Sequence, residues 1–155
     1  MGRLINKEDL QEVLAEIKKE GKTLAVTNGC FDILHVGHVR YLNMSAKQAD
    51  YLMVLLNSDK SVRAIKGESR PINKEEDRAE VLSALNCVDY VMFFDENSPS
   101  KLLEEIKPDV YTKGADYNLE NLPEAKSIQS YGGKIAFIDL VEGVSTTKIL
   151  EKLNS

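Results

Sequence analysis

The chain has no tryptophan, few cysteines and no long apolar run. Cys30 and Cys87 are the two cysteines among 155 residues. They form neither a disulfide framework nor the paired spacing of a zinc site, which favours a reducing compartment. No apolar stretch reaches the roughly 18 residues needed to span a bilayer, and residues 1–20 are charged and lack a signal-peptide core. We therefore expect a soluble, cytoplasmic protein.

The chain also has fewer basic residues than acidic ones, 20 lysines and arginines against 25 aspartates and glutamates. The formal net charge is -5, whereas non-specific binding of nucleic acid by counterion release needs a basic surface. A small anionic ligand still fits, provided that cations and backbone N–H donors cluster locally. With 43% hydrophobic residues, the chain is long enough to bury one substantial core, so one domain over residues 1–155 is expected.

Short β-branched runs alternate with helical patterns, which predicts a parallel sheet covered by helices on both faces. Asn6 is expected to cap an N-terminal helix within residues 1–21, and Gly21 to end it. The expected strands are 23–27, 51–56, 88–93, 109–112 and 134–138. The prediction is a single-domain, Rossmann-like α/β fold.

Five later helices are predicted from caps and apolar spacing. One spans 38–48, and one follows a capping box formed by Asn73 and Glu76. Ser98 and Pro99 suit the N-cap and first position of a helix that ends near residue 106. A helix around 120–131 and a final one, capped by Ser145 and running through Leu153, complete the pattern. No repeat or interdomain linker interrupts it.

In a sheet of this kind, ligands bind at the carboxyl ends of the strands. The segments expected there are 28–38, 113–116 and 143–147. The first contains both histidines of the chain, His35 and His38, on either side of Gly37. Imidazoles can donate hydrogen bonds to phosphate, glycine lets phosphate approach the backbone, and a helix N-terminus adds N–H donors. We interpret this segment as a phosphate site.

The two histidines have two other interpretations, a helix cap and a zinc pair. One histidine can simply cap the helix while the other is solvated, but two histidines flanking a glycine at a strand-to-helix turn favour function. A zinc pair is disfavoured, because nearby Asp32 is the one residue that suits completing a ligand set. No protein-held metal site is therefore expected.

The residues of 27–38, Thr-Asn-Gly-Cys-Phe-Asp-Ile-Leu-His-Val-Gly-His, resemble the first motif of the HxGH nucleotidyltransferase superfamily, in its cytidylyltransferase-like branch. The residues of 142–147, Glu-Gly-Val-Ser-Thr-Thr, are similar to the last motif of that branch. Class I aminoacyl-tRNA synthetases share the superfamily, but they have far larger chains and a lysine-rich signature loop. The resemblance implies an enzyme that transfers a nucleoside monophosphate.

Within that branch, the chain most resembles the D-glycero-β-D-manno-heptose-1-phosphate adenylyltransferases, which make ADP-heptose for lipopolysaccharide. The matching segments are 28–32, 57–59, 66–67, 69–71 and 113–117. Leu140 stands where glycerol-3-phosphate cytidylyltransferases usually carry arginine, which weakens the cytidylyl interpretation. The resemblance also implies a homodimer, and a separate sugar kinase, since the domain is fused to a kinase in many bacteria.

The resemblance implies direct in-line attack of the sugar phosphate on the α-phosphorus of ATP, with His35, His38 and Lys47 as the catalytic residues. Mg²⁺ would come with ATP, held mainly by phosphates and water. The implied nucleotide-binding residues are Asn28, Gly29, Cys30, Phe31, Gly37, His38, Lys113, Gly114, Asp116, Val144, Ser145, Thr146 and Thr147. The implied substrate-binding residues are Asp32, Asn57, Asp59, Lys66, Arg70 and Arg78.

Several of these assignments have plainer alternatives. Ser145 to Thr147 also suit an ordinary helix cap, Lys47 a solvated helix face and Arg78 a surface salt bridge. The polar segment that contains Lys66 and Arg70 suits either a lid over the sugar phosphate or a flexible loop. The alternative functions are a cytidylyltransferase for glycerol 3-phosphate or a phosphoamine, and a nucleotide-binding sensor without turnover.

Overall fold

The computed structural model describes residues 1–140 and 145–154. Within them, six parallel strands form one sheet in the order β1-β4-β3-β2-β5-β6. The strands are β1 (Arg3–Leu4), β2 (Leu24–Gly29), β3 (Tyr51–Asn57), β4 (Tyr90–Phe94), β5 (Val110–Gly114) and β6 (Lys134–Ile138). The strand order reverses direction at β2, which pairs with β3 on one side and β5 on the other. A crevice is therefore expected at the carboxyl ends of β2 and β5.

Helices cover both faces of the sheet. They are α1 (Lys7–Lys19), α2 (Val36–Ala46), α3 (Asp59–Lys66), α4 (Glu75–Ser83), α5 (Ser100–Ile106), α6 (Ala125–Gln129) and α7 (Thr146–Asn154). The period of two along β3 divides its side chains between two cores. Met53 and Leu55 join the core under α1, α5 and α6, whereas Leu52 and Val54 join the core under α2 and α4. The predicted Rossmann-like α/β fold is confirmed.

The N-terminal helix follows its sequence pattern closely. Asn6 and Asp9 form a reciprocal capping box, with the Asp9 N–H donating to Asn6 Oδ1 at 2.9 Å and the Asn6 N–H donating to Asp9 Oδ2 at 3.2 Å. Gly21 adopts a left-handed φ of 69° just after the helix, a conformation that glycine takes without a Cβ clash. Both expected ends of this helix are confirmed.

Other helix starts differ from the sequence prediction because side chains bond elsewhere. The capping box at Asn73 is wrong: α4 begins at Glu75, and the Asn73 side chain donates to the Asp32 carbonyl at 2.7 Å instead. The helix after Ser98 begins one residue later than expected, with Pro99 at its N-cap.

The helix expected over 120–131 is reduced to Ala125–Gln129. Asn118 Oδ1 accepts the N–H groups of Glu120 and Asn121 at 2.9 and 3.0 Å, which gives the preceding backbone a turn in place of a helix.

Two elements were not predicted. Strand β1 has two residues, too short for a periodic pattern, and it exists because it pairs with β4 and so forms the edge of the sheet. Helix α3 is polar, with Ser61 and Val62 as its buried residues, so it lacks an apolar stripe. Its start is nevertheless visible, since Ser58 Oγ accepts the Ser61 N–H at 3.2 Å.

Candidate active site

A cavity of about 350 Å³ opens at the carboxyl ends of β2 and β5, where the strand order predicts it. It brings together parts of all three segments that the sequence singled out, together with residues from the α3–α4 connection. The lining residues are Asn28, Gly29, Cys30, Phe31, Asp32, His35, Gly37, His38, Tyr41, Lys66, Arg70, Lys113, Gly114, Asp116, Leu140, Ser145, Thr146 and Thr147.

The two histidines form a stacked pair at the start of α2. Their ring centroids are 3.8 Å apart and the ring planes are inclined by 22°. His35 is the N-cap of α2, and its Nδ1 accepts the Gly37 N–H at 3.1 Å. The helix therefore begins two residues before the expected His38. The motif itself forms the first helical turn, and the N-terminus of a helix favours anionic ligands.

The hydrogen bond to Gly37 fixes the tautomer of His35. Because Nδ1 is an acceptor, the neutral ring carries its proton on Nε2. That Nε2, like Nδ1 of His38, is shielded from solvent and has no hydrogen-bond partner among the described residues. Burial lowers the pKa of His35. Burial, followed by the charges of His35 and Lys66, lowers the pKa of His38 to about 4. Both rings are thus neutral at pH 7.

An aromatic ring supports the pair. Phe31 meets His38 edge to face, with centroids 5.3 Å apart. Phe31 has a φ of 45°, in a region that side chains rarely adopt, and such strain tends to occur at functional sites. A Cβ on Gly29 would lie 2.8 Å from the Phe31 ring. Glycine at position 29 therefore allows the ring to reach His38.

Lys113 supplies a half-buried cation on the β5 side. The sequence predicted Lys113 and Gly114 in a loop, but both belong to the end of β5 because they continue the pairing with β6. Burial lowers the pKa of Lys113, against the opposing influence of Glu124, Asp116 and Cys30. Its Nζ lies 5.1 Å from the centroid of the Tyr117 ring. A lysine in this state gains strongly from an anionic ligand.

Lys66 at the end of α3 and Arg70 in the α3–α4 connection add two cations. Arg70 Nε donates to Asp32 Oδ2 at 3.1 Å, while Arg70 Nη2 is buried without a hydrogen-bond partner in the described part of the chain. Lys66 lines the same cavity. Both residues thus stand where the sequence expected a phosphate to bind.

The start of α7 completes the cavity. Ser145 Oγ accepts the Lys148 N–H at 3.0 Å, which confirms the expected cap. Thr146 is 8% exposed, and its hydroxyl donates to the Ile33 carbonyl at 3.1 Å, tying α7 to the histidine loop. Thr147 is exposed and also lines the cavity. The predicted nucleotide-binding Val144 lies outside the described residues, as do Glu142 and Gly143.

Lys47 does not join the site. It is the exposed C-cap of α2, whereas His35 caps the other end. The 11 residues of the helix span roughly 16 Å at about 1.5 Å per residue. Lys47 is therefore not among the residues that line the cavity, and its catalytic role stays a prediction from sequence.

Arg78, Asn57 and Asp59 also lie outside the cavity lining, and their contact with substrate stays a prediction from sequence. Arg78 is 1% exposed. Its guanidinium donates to the carbonyls of Asn73, Cys30 and Asn57 at 3.0, 2.7 and 2.8 Å and to Asp59 Oδ1 at 2.9 Å. With every nitrogen engaged in this way, Arg78 holds the loops behind the site.

The sequence interpretation missed Tyr41 as a lining residue. Tyr41 lies one helical turn after His38, and this spacing was the available indication. Its hydroxyl lies 2.7 Å from Thr27 Oγ1, in a polar network that continues to Ser45 and Thr112, whose hydroxyls are 2.8 Å apart. The network joins α2 to β2 and β5 and so fixes the helix that carries the histidines.

No group of three or more histidine, cysteine or carboxylate side chains suited to hold a metal occurs among residues 1–140 and 145–154. Asp32 is the carboxylate that the sequence offered as a third metal ligand beside the histidines. Its oxygens instead accept hydrogen bonds from Arg70, Ile72 and Asn73. In the same part of the chain, no helix has the length and apolar character to cross a membrane.

Comparison with known proteins places this geometry in context. A family model described as cytidylyltransferase-like matches residues 26–152. The bifunctional protein HldE of Syntrophotalea carbinolica is 48% identical over 147 residues, which cover 95% of this chain and 30% of that protein. HldE of Geobacter sulfurreducens is 46% identical over 148 residues, which cover 96% of this chain and 30% of that protein. The chain therefore spans less than a third of the length of these relatives.

A solved structure is similar as well. The lipopolysaccharide core biosynthesis protein from Thermoplasma volcanium GSS1 superposes with a TM-score of 0.63 at 32% identity, covering 78% of this chain and 98% of that one. A match over nearly the full length of that protein supports a shared family as well as a shared fold.

Proposed function

Because the chain belongs to the cytidylyltransferase-like family of nucleotidyltransferases, we propose that it transfers AMP from ATP to D-glycero-β-D-manno-heptose 1-phosphate, forming ADP-heptose. One observation carries the proposal: a neutral histidine pair stacked at 3.8 Å faces a cavity that also receives Lys66, Arg70 and Lys113. The choice of sugar is supported by the resemblance of segments 69–71 and 113–117 to the heptose enzymes. The match to a lipopolysaccharide core biosynthesis protein agrees with it.

The proposed reaction is a direct displacement. A phosphate oxygen of the sugar 1-phosphate attacks the α-phosphorus of ATP, the new P–O bond forms, and the bond from the α-phosphorus to the bridging oxygen of the β-phosphate breaks. That oxygen leaves with pyrophosphate. No covalent enzyme intermediate is required, so the protein acts by positioning the two anions and stabilising the charge that develops between them.

The histidines act as neutral hydrogen-bond donors in this proposal. His35 has its proton on Nε2, which has no protein partner among the described residues. A phosphate oxygen would satisfy it. A donor already held in place by the Gly37 N–H pays no reorganisation cost as charge develops on the α-phosphate and the leaving group. His38 would supply a second donor, oriented by its stacking on His35 and by the edge contact with Phe31.

The two phosphate-bearing substrates need separate cationic neighbours. Lys113 on β5 would neutralise the phosphates of ATP, while Ser145, Thr147 and the N-terminus of α7 would bind the distal phosphates. Arg70 and Lys66 would bind the phosphate of the sugar. Asp116 would accept hydrogen bonds from ribose or sugar hydroxyls, and Val144 stays a nucleotide-binding prediction from sequence.

Mg²⁺ enters as part of the substrate, MgATP. Asp32 is engaged by hydrogen bonds from Arg70, Ile72 and Asn73, and residues 1–140 and 145–154 contain no carboxylate cluster suited to a resident ion. Phosphate oxygens and water would provide most of its ligands.

The cellular compartment, the oligomeric state and the source of the acceptor are also proposed. The use of ATP and the two free thiols, Cys30 and Cys87, favour the cytoplasm. A homodimer is proposed from the family resemblance alone. The acceptor must itself be made by phosphorylating a sugar, so a kinase activity should supply it.

A crossed assay of pyrophosphate release tests the proposal. ATP and CTP are each combined with heptose 1-phosphate, glycerol 3-phosphate and phosphoethanolamine, and the His35→Ala protein serves as the control for contaminating activity. We expect release with ATP and heptose 1-phosphate, and loss of that release in the control. Release with CTP and glycerol 3-phosphate instead would contradict the proposal and indicate a cytidylyltransferase. Nucleotide binding without any release would indicate a sensor.

A further inference from the structure

Asp32 joins the histidine loop to a distant segment of the chain. Its side chain is 1% exposed. Oδ2 accepts Arg70 Nε at 3.1 Å and the Ile72 N–H at 2.8 Å, and Oδ1 accepts the Asn73 N–H at 2.8 Å. The Asp32 carbonyl also accepts the Asn73 side-chain amide at 2.7 Å. Four hydrogen bonds thus anchor residues 70–73 beside the first turn of α2.

The Asp32 carboxylate binds only the Nε of Arg70, and the Nη2 of the same guanidinium has no hydrogen-bond partner among the described residues. The side chain is 10% exposed and lines the cavity. Its Nε is paired with Asp32, while Nη2 is buried and has no hydrogen-bond partner in residues 1–140 and 145–154. A buried donor without a partner costs about 1 to 3 kcal/mol. Guanidinium presents its donors as a rigid fork that suits phosphate.

We infer that Asp32 is a positioning residue that presets Arg70 as an anion fork for the phosphate of the acceptor. The inference rests on the proposed function for the identity of that acceptor. It replaces two sequence-based expectations: Asp32 does not bind substrate itself, and residues 70–73 form an anchored wall of the cavity in place of a closing lid. The acceptor subsite is then formed before substrate arrives, and little binding energy is lost in ordering it.

The charge of Asp32 agrees with this role. Burial alone would raise the pKa of Asp32, but the hydrogen bonds from Ile72, Asn73 and Arg70 outweigh it and lower the pKa. The carboxylate is therefore ionised at neutral pH. It would repel a phosphate in direct contact, whereas Arg70 between the two screens that repulsion and binds both.

A double-mutant cycle of Asp32→Asn and Arg70→Gln tests the coupling through steady-state kinetics. If Asp32 acts through Arg70, Asp32→Asn should raise the KM for heptose 1-phosphate by about tenfold in the parent protein and by less than about twofold in the Arg70→Gln background. The KM for ATP should change by less than about twofold. Additive effects, or an equal rise in both KM values, would overturn the inference.

Two further variants separate positioning from general loss of stability. Asp89 is a half-buried carboxylate that directly precedes β4, at the amino ends of the strands and so away from the cavity. It accepts the Leu52 N–H at 2.8 Å. Asp89→Asn should lower thermal stability without changing either KM.

If Asp32→Asn fails to fold, Asn73→Ala loosens the same segment more gently, because it removes the bond to the Asp32 carbonyl. It should raise the acceptor KM in the parent and not in the Arg70→Gln background, and a rise in both would contradict the coupling.

Binding of inorganic phosphate gives a readout that needs no turnover. Calorimetry is performed with the nucleotide position filled by α,β-methylene ATP, and again without nucleotide. Asp32→Asn and Arg70→Gln should each weaken phosphate binding by about tenfold, with no further loss in the double variant. Unchanged phosphate affinity in Asp32→Asn would refute the inference. If the protein binds phosphate in this way but turns over no heptose 1-phosphate, the proposed acceptor is wrong while the role of Asp32 stands.

Discussion

Replacing Arg78 with methionine should destabilise the fold far more than it affects substrate binding. The guanidinium is enclosed, with its side chain 0% exposed. It donates four hydrogen bonds of 2.7 to 3.0 Å, to three backbone carbonyls and to Asp59. Methionine matches the aliphatic stem of arginine and has no donors, so Arg78→Met removes all four bonds and keeps the apolar contact of the stem.

The size of the effect follows from the groups left behind. Breaking a buried charged pair costs about 3 to 5 kcal/mol. The Asp59 side chain is 24% exposed, so water can reach this acceptor and the lower end applies. A loss of about 3 kcal/mol corresponds to a fall in Tm of about 6 to 12 °C for a chain of this size.

Urea unfolding followed by circular dichroism measures the loss. Arg63→Met is the matched control, because Arg63 is an exposed arginine on the neighbouring helix α3, and its effect should lie within about 0.5 kcal/mol. ATP affinity of folded Arg78→Met should stay within about threefold of the parent. A loss of stability below about 1 kcal/mol, together with a selective rise in a substrate KM, would refute the structural role and restore substrate contact.

Three further predictions concern the cavity. His35→Ala and His38→Ala should each lower kcat at least about a hundredfold without unfolding, since one preorganised donor contributes roughly 3 to 4 kcal/mol; near-normal turnover in either variant excludes the role. Thr147→Val should weaken ATP more than AMP in calorimetry, and equal weakening would count against a distal-phosphate contact. Burial lowers the pKa of His35 and brings that of His38 to about 4, so kcat/KM should fall as pH drops from 6.5 towards 4. The free energy of unfolding should fall over the same window because the unfolded state binds more protons there, whereas activity that rises on acidification would contradict neutral donors.

Local patterns were sufficient for much of the fold. The alternation of strands with amphipathic helices, the capping box at Asn6 and the left-handed Gly21 are encoded within a few residues of sequence. Strand β1 and the true start of α4 depend on partners far along the chain. Asn73 had the local chemistry of a cap, and the distant carbonyl of Asp32 took its side chain.

The candidate site divides in the same way. The motif in residues 35–38 identified the phosphate-facing turn, because its chemistry is carried by adjacent residues. Arg78 and Asp59 matched family positions, but whether such residues face substrate or each other depends on burial, which a linear pattern does not encode. Whether Lys47 reaches substrate depends on its position at the C-terminal end of α2, which the motif does not encode.

The most direct test of the account is a comparison of two specificity constants by phosphorus NMR of the products. With ATP and heptose 1-phosphate, the protein should form ADP-heptose and pyrophosphate. Its kcat/KM for this pair should exceed that for CTP and glycerol 3-phosphate by at least about a hundredfold, since mismatched polar groups cost on the order of 1 to 3 kcal/mol each. Equal constants, or a preference for CTP, would contradict the proposed adenylyl transfer to a sugar.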